Sequence, residues 1–408
     1  MMSARLPSAL PSPLPASAAA RAAPTAHAAR PVNASPDLAA LEAAFEDPAE
    51  AGTRGGNSSG NGPTAHRLTA ADGRLLGARW FEPAHEPARA VAVVNAATGV
   101  PQRFYRHFAL WLAARGYAVL TYDYRGIGES RQGPLQADAA RMRDWALLDM
   151  PAALAEAARR RQAGGSAHRH AGELEHGRPG SAPSGRPGNL PLLLVGHSFG
   201  GNAIGLAEGF EQADALLGVA AQSGDWRNWP GRHRWLTHAF FHALLPAAAH
   251  LLGKAPGWVL GGSGAGLPKG VALDWARWGR RRGYLFTDPE LAAHLWRYQQ
   301  FRGPAHLWHI SDDWTYGPAA AVDALAAQFS TARVERPALD AAALRSGRIG
   351  HFGAFRAEAG RRIWPQWLER IESASPSLRA ALQRENVKCE RPSVRDDSSS
   401  PLSGSARK

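Results

Sequence analysis

Cysteine is almost missing from this chain. Its 408 residues include one, Cys389, so no disulfide within the chain and no cysteine-built zinc site can form, which fits a reducing, cytoplasmic setting. Acidic residues are outnumbered, 35 Asp and Glu against 47 Lys and Arg, for a formal charge of +12. Such an excess attracts polyanions without specificity. The arginines are scattered, however, and no helix-turn-helix, zinc-finger or RNA-binding signature is present, so no nucleic-acid partner is expected. Long hydrophobic runs are also missing. No stretch reaches the ~18 apolar residues of a membrane helix; the nearest, Ala239 to Leu252, is cut by His242, Pro246 and His250, and no transmembrane segment is expected. Pro7, Pro11, Pro13 and Pro15 break the apolar part of the N-terminus, which argues against a secretory signal. The lack of acidic residues before Asp37 resembles a transit peptide, but a disordered leader is the preferred reading.

Metal and cofactor motifs are absent as well. His238 and His242 lie four apart, but no Glu follows His238 as in H-E-x-x-H. The glycine-rich run Gly261–Gly266 is followed by no G-K-[ST] and preceded by no strand pattern. No cofactor and no metal are expected, and nothing assigns an oligomeric state.

What remains is a chain with 45% hydrophobic residues, enough for a sizeable core. Residues 1–62 are rich in Ala, Pro, Gly and Ser and read as a disordered leader, with a short helix at Leu38–Phe45 as an option. From His66 the pattern changes. Two extended stretches flank Asp72-Gly73, a hairpin signal. Ala90–Asn95, Tyr117–Asp123, Leu190–His197 and Leu216–Gln222 are continuous apolar runs suited to strands buried on both faces. Helix patterns separate them, at Phe104–Arg115, at about 138–161 and from Gly201. This alternation predicts a mostly parallel central sheet with helices on both faces. Residues 162–189 have no periodicity and read as a disordered insertion in the first part of the core, 63–224. Residues 225–303 are helix-patterned and hold Trp226, Trp229, Trp235, Trp258, Trp275, Trp278 and Trp296; they read as an inserted helical cap. Its tryptophans either build the cap's own core or line an apolar acyl pocket. The strand–helix rhythm returns over 304–372, and 373–408 reads as a loose tail.

Gly196-His197-Ser198-Phe199-Gly200 has the form G-x-S-x-G and stands between a strand and a helix. In that setting a strained turn lifts the serine hydroxyl out of the backbone, and small neighbours relieve the crowding. A serine hydroxyl is a poor nucleophile unless a base takes its proton and a third group orients the base. Downstream, in the order Ser, acid, His, come Asp312-Asp313 just past a strand pattern and His351 within Gly350-His351-Phe352-Gly353. An oxyanion needs backbone donors. The amide of Phe199 is one candidate, and Val100 or Gly99 in the loop after Asn95 is the other.

These motifs together carry a resemblance. The stretch NAATGVPQRFYRHFALWLAARGYAVLTYDYRGIGES is similar to the α/β-hydrolase segment written as HG, a Tyr-bearing helix and D-x-R-G-x-G-x-S, with Thr98-Gly99 in place of His-Gly. With LLLVGHSFGGNAIGL, SDDWTYGP and GHFGAF, the chain resembles bacterial predicted α/β-hydrolases of the serine-aminopeptidase-like and monoacylglycerol-lipase-like group over roughly 64–372. The resemblance implies the α/β-hydrolase fold with an inserted helical cap. It also implies a Ser198–His351–Asp313 triad, with Asp313 preferred to Asp312 for its spacing to Pro318. Asp123, Arg125, Gly126 and Ser130 read as a structural turn beside the nucleophile loop. The expected activity is hydrolysis of a small or lipid-like carboxylic ester through an acyl-enzyme. Acyl transfer on the same scaffold, or a non-catalytic hydrolase-like binding protein, are the alternatives.

Overall fold

Thr64–Thr69 (β1) and Leu75–Phe81 (β2) pair antiparallel around a turn in which Gly73, at a φ of 80°, donates its N–H to the Ala70 carbonyl. In the computed structural model, which describes residues 62–83, 87–176, 189–261, 266–344 and 347–383, this hairpin forms one edge of a nine-stranded sheet. The next strands in the chain are β3 (Ala90–Asn95), β4 (Tyr117–Tyr122), β5 (Leu192–His197) and β6 (Ala215–Val219). Every residue in these four is buried, so their sheet is covered on both faces, as continuous apolar runs require.

Between β6 and the next sheet strand the chain makes a long excursion that carries a small hairpin, β7 (Lys254–Ala255) with β8 (Leu267–Pro268). The sheet resumes with β9 (Pro304–Ile310), β10 (Arg333–Glu335) and β11 (Ala338–Leu339). The strand order is β1-β2-β4-β3-β5-β6-β9-β10, with β11 beside β9. Within this sheet, among the described residues, β1 with β2 and β2 with β4 are antiparallel and every other pairing is parallel. This is the α/β-hydrolase fold.

The helices that flank the sheet core begin with α1 (Arg106–Ala113). A helical run then starts at Met142, passes a π-turn at Trp145–Asp149 and continues as α2 (Met150–His176). The short α3 (Phe199–Ala203) follows β5. The excursion holds α4 (Gly231–Ala239), a π-turn at Phe240–Leu244, α5 (Leu245–Leu252), α6 (Lys269–Arg280) and α7 (Trp296–Gln300). The chain then forms α8 (Ala319–Ala326), α9 (Gly350–Gly353), α10 (Ala357–Ala374) and α11 (Pro376–Gln383). Helix α10 buries Ala359, Ile363, Trp364, Trp367, Leu368 and Ile371, a helical stripe. Trp364 meets Phe108 and Trp111 of α1 at ring separations of 5.3 and 5.7 Å.

Two sequence expectations need correction. The segment expected to be a disordered insertion, 162–189, is helical as far as His176; Ala, Arg, Gln and Glu are strong helix formers, and the Gly164-Gly165 pair is tolerated within α2. The tail expected from Ser373 is structured through Gln383. Leu378 is fully buried, and the Ser377 hydroxyl donates to Asp214 Oδ1 at 2.8 Å; polar residues here bind the loop that enters β6 rather than solvent. The expected leader, its Leu38–Phe45 helix and Cys389 lie outside the described residues.

Parallel strands gather their loops at their C-terminal ends, where this kind of sheet places its ligands. The ends of β3, β5 and β9 therefore bring residues 96–100, Ser198 and Asp312-Asp313 to one edge of the molecule's core.

Candidate active site

Ser198 joins β5 to α3 with φ 53° and ψ −116°, a backbone conformation that residues with a side chain rarely adopt. Its N–H donates to the Val219 carbonyl at 3.0 Å, and its carbonyl accepts the N–H groups of Gly201 and Asn202 at 3.1 and 2.9 Å. The surrounding glycines make this turn possible by close approach. A Cβ on Gly200 would lie 2.1 Å from the Asn95 carbonyl oxygen, and one on Gly196 would lie 2.2 Å from the Gly201 Cα. Gly200→Ala would gain about 1 kcal/mol of helix propensity, yet the contact is with backbone that cannot rotate away. The expected net result is a loss of about 1–3 kcal/mol, read as a lower urea midpoint, together with loss of any Ser198-dependent activity.

His351 stands on α9, whose entry residue Gly350 takes a φ of 54°. Its Nδ1 is 2.6 Å from Asp313 Oδ2, and both side chains are almost fully buried. Asp313 Oδ1 accepts the Tyr316 N–H at 3.1 Å. A Cβ on Gly317 would stand 2.7 Å from Asp313 Oδ2, so glycine there leaves room for the carboxylate. The adjacent Asp312 points elsewhere: its two oxygens accept the N–H groups of Ile349 and Gly350 at 2.9 and 2.8 Å. One carboxylate holds the imidazole and the other holds the backbone of the loop that carries it.

A buried chain of hydrogen bonds links this loop to the end of β3. The Ala97 N–H donates to the Tyr105 hydroxyl oxygen at 2.8 Å. That hydroxyl is 2.8 Å from His197 Nδ1, and His197 Nε2 is 2.9 Å from the His351 carbonyl oxygen. A carbonyl only accepts, so Nε2 carries the proton and Nδ1 accepts from Tyr105. Burial, reinforced by the neighbouring His351, holds the His197 pKa well below its ordinary value, which keeps the ring neutral and this tautomer in place. Sequence reasoning assigned no role to His197; its place inside G-x-S-x-G was the available signal. Tyr105→Phe leaves the Ala97 N–H without an acceptor and His197 without a donor. The expected cost is about 1–3 kcal/mol of stability, with a fall of roughly tenfold in kcat for a 1.4 kcal/mol misplacement of the reacting groups. Unfolding midpoints and kcat on one soluble ester check it.

The loop after β3 corrects one expectation. The Val100 N–H donates to the Ala97 carbonyl at 3.1 Å, a turn closed with Gly99 at a φ of 72°, so Val100 has no free amide to offer an oxyanion. The amides of Thr98 and Gly99 make no hydrogen bond among the described residues. Phe199, the first residue of α3, has no intrahelical acceptor for its N–H, and its ring is fixed against Tyr124 and Trp145 at 5.9 and 5.6 Å. The Ser198 hydroxyl likewise makes no hydrogen bond among the described residues.

Asp123, Arg125 and Ser130 serve the turn after β4. The Asp123 carboxylate accepts the N–H groups of Gln102 and Glu129 at 2.6 and 2.8 Å, and burial raises its pKa to about 6. Arg125 binds Asp149 and Asp72 at 2.7 and 2.6 Å. Ser130 Oγ donates to the Asp123 carbonyl at 2.6 Å.

The excursion between β6 and β9 reaches this site. A Cβ on Gly99 would lie 3.2 Å from Leu267 Cδ2 and 3.5 Å from Leu260 Cδ1, so both leucines pack against the loop after β3. The Tyr316 hydroxyl donates to the Leu260 carbonyl at 3.4 Å, and its ring lies 5.1 Å from that of His351. Of the excursion's tryptophans, Trp229 and Trp278 are buried, while Trp235, Trp258 and Trp296 are exposed. Among the described residues no group of three or more His, Cys, Asp or Glu could hold a metal ion, and no helix is long and apolar enough to cross a membrane.

No family model matches the chain, and no curated protein matches it in sequence. Solved structures do resemble it in shape. An esterase of Pyrococcus furiosus is 15% identical over 76% of this chain and 92% of its own, with a TM-score of 0.43. A soluble variant of the Saccharomyces cerevisiae monoglyceride lipase, in complex with a substrate analogue, is 11% identical over 78% and 97%, with a TM-score of 0.49. Brefeldin A esterase, a bacterial homologue of human hormone-sensitive lipase, is 16% identical over 86% and 90%, with a TM-score of 0.44. Likenesses this distant bear on neither substrate nor mechanism.

Proposed function

We propose that the protein is a serine hydrolase that cleaves a carboxylic ester with an apolar acyl group. The observation that carries the reading is the pairing of a strained Ser198 turn after β5 with a buried His351–Asp313 hydrogen bond after β9, both at the C-terminal side of the same sheet. In this reading Ser198 Oγ attacks the acyl carbon while His351 Nε2 takes its proton. Asp313 fixes the imidazole with its Nδ1 protonated and stabilises the imidazolium. The developing oxyanion accepts hydrogen bonds from the Phe199 amide and from an amide of the Thr98–Gly99 segment. His351 returns the proton to the departing alkoxide, the carbon–oxygen bond breaks, and an acyl-Ser198 ester remains. Water then attacks with His351 again as base, releasing the acid and restoring the Ser198 hydroxyl. The unbonded Ser198 hydroxyl is compatible with this scheme, because catalytic hydrogen bonds often tighten only when substrate binds.

Leu260 and Leu267 beside Gly99, with Tyr316 beside His351, support an apolar wall next to the reacting carbon and hence an apolar acyl group. The excursion 225–303 then acts as a cap over the site. The test is a series of p-nitrophenyl esters of increasing acyl length, assayed for free acid and for transfer product with an added alcohol. Burst release of nitrophenol followed by steady acid formation, rising with chain length, is expected. Absence of turnover across the series would refute the reading; transfer product in excess of acid would reassign the enzyme to acyl transfer.

A further inference from the structure

The run formed by α4, its π-turn and α5 turns Phe241, Leu245, Ala248 and Ala249 inward. Its other side faces solvent, where charge is expected on a helix of this kind. Trp235 and Leu236 are 64% and 62% exposed, Leu251 is 82% exposed, and Leu244 and Leu252 join them. Trp258, on the turn that follows, is 66% exposed. The charge pattern is equally one-sided. From Trp226 to Leu273 there is no acidic residue, while Arg227, Arg232, Arg234, Lys254 and Lys269 are present. Arg232 and Arg234 stand at the start of the run and Lys254 just past its end. Arg232, Lys254 and Lys269 make no ion pair among the described residues.

We infer that this face adsorbs the protein onto an anionic lipid surface, the helical run lying in the plane of the headgroups. A helix of this length, about 33 Å at 1.5 Å per residue, cannot span as built, because one side is packed into the protein. It can sink its apolar side to the acyl boundary while basic residues at its ends meet anionic headgroups. Exposed tryptophans are the side chains that favour that interface. Association with a second copy through the same face is disfavoured, since it would bring the unpaired cations of the two copies together. The surface also borders the candidate site. Leu260, two residues after exposed Trp258, packs on the loop after β3, and His233 of α4 lies 6.0 Å ring to ring from Trp314, the neighbour of Asp313. The inference stands on exposure and charge, and does not need the hydrolase reading to be right.

Co-sedimentation of the full chain with vesicles tests it. Binding to phosphatidylcholine vesicles containing phosphatidylglycerol is expected to be at least tenfold tighter than to phosphatidylcholine alone, and to weaken with salt. The neutral double variant Leu236→Gln/Leu251→Gln, altered where both side chains are mostly in solvent, is expected to keep the wild-type thermal unfolding midpoint and to lose at least tenfold in vesicle affinity. Three results would overturn the inference. The wild type could stay in the supernatant with anionic vesicles. The double variant could bind as tightly as the wild type, leaving net charge alone as the cause. Or the wild type could be a dimer that the double variant dissolves, which would assign the face to self-association.

Discussion

Ser198→Ala is expected to remove esterase turnover by at least about 10⁴-fold, the scale on which loss of the nucleophile acts in a serine hydrolase. Folding should be little changed. Ser198 contributes backbone, not side-chain, hydrogen bonds to its surroundings: Val219 accepts its N–H, and Gly201 and Asn202 donate to its carbonyl. Alanine keeps all three and carries the same steric strain at a φ of 53°. The measurement is kcat on the best ester of the acyl series, with the unfolding midpoint taken alongside. Undiminished kcat in a folded variant would remove Ser198 from the reaction.

The second large effect separates two adjacent carboxylates. Asp313→Asn puts a neutral amide at 2.6 Å from His351 Nδ1. The amide can donate as well as accept, so it no longer enforces the tautomer that leaves Nε2 free to take a proton, nor does it balance an imidazolium. The expected loss is on the order of 10⁴ in kcat. Asp312→Asn acts differently. One of its oxygens remains as an acceptor for Ile349 or Gly350, so the loop loses part of a clamp, worth about 1–3 kcal/mol for charged hydrogen bonds, and kcat falls far less. The same ester assay and unfolding measurement on both variants decide it. A dead Asp312→Asn with an active Asp313→Asn would invert the assignment; two active variants would place the acid elsewhere.

Much of this architecture could be read from residue pattern alone because the sheet leaves a strong trace. Strands buried on both faces are apolar at nearly every position, so AVAVVN and LLLVGH announce themselves, their polar last residues Asn95 and His197 marking the end of the sheet that holds the candidate site. The G-x-S-x-G turn announces itself because glycine is needed where a Cβ would strike the Asn95 carbonyl or Gly201. Asp312 and Asp313 were separable, since neighbours on an extended chain face opposite ways, and the spacing to Pro318 favoured Asp313, the one that lies 2.6 Å from the ring of His351. The loop after β3 was harder. Its register depends on a turn closed by Val100 and Ala97 with Gly99 at positive φ, and one sequence does not reveal which amide such a turn consumes. The Tyr105–His197 link was hidden for another reason: its partners come from three distant segments, and hydrogen bonds of that kind leave no periodicity. Polarity misled at the C-terminus, where Ser375 and Ser377 bind Asp214 instead of water. In the excursion, Trp229 and Trp278 are buried as a cap core requires, whereas Trp235 and Trp258 are exposed, which neither a core nor a pocket explains.

The central claim is that Ser198 is a nucleophile made reactive by its neighbours. Its most direct test is reaction of the native protein with a fluorophosphonate, followed by peptide mapping of the adduct by mass spectrometry. A single phosphonyl adduct on Ser198, formed by the folded protein and lost on denaturation before treatment, is the predicted result. No adduct, or an adduct on a different residue with Ser198 unmodified, would contradict it.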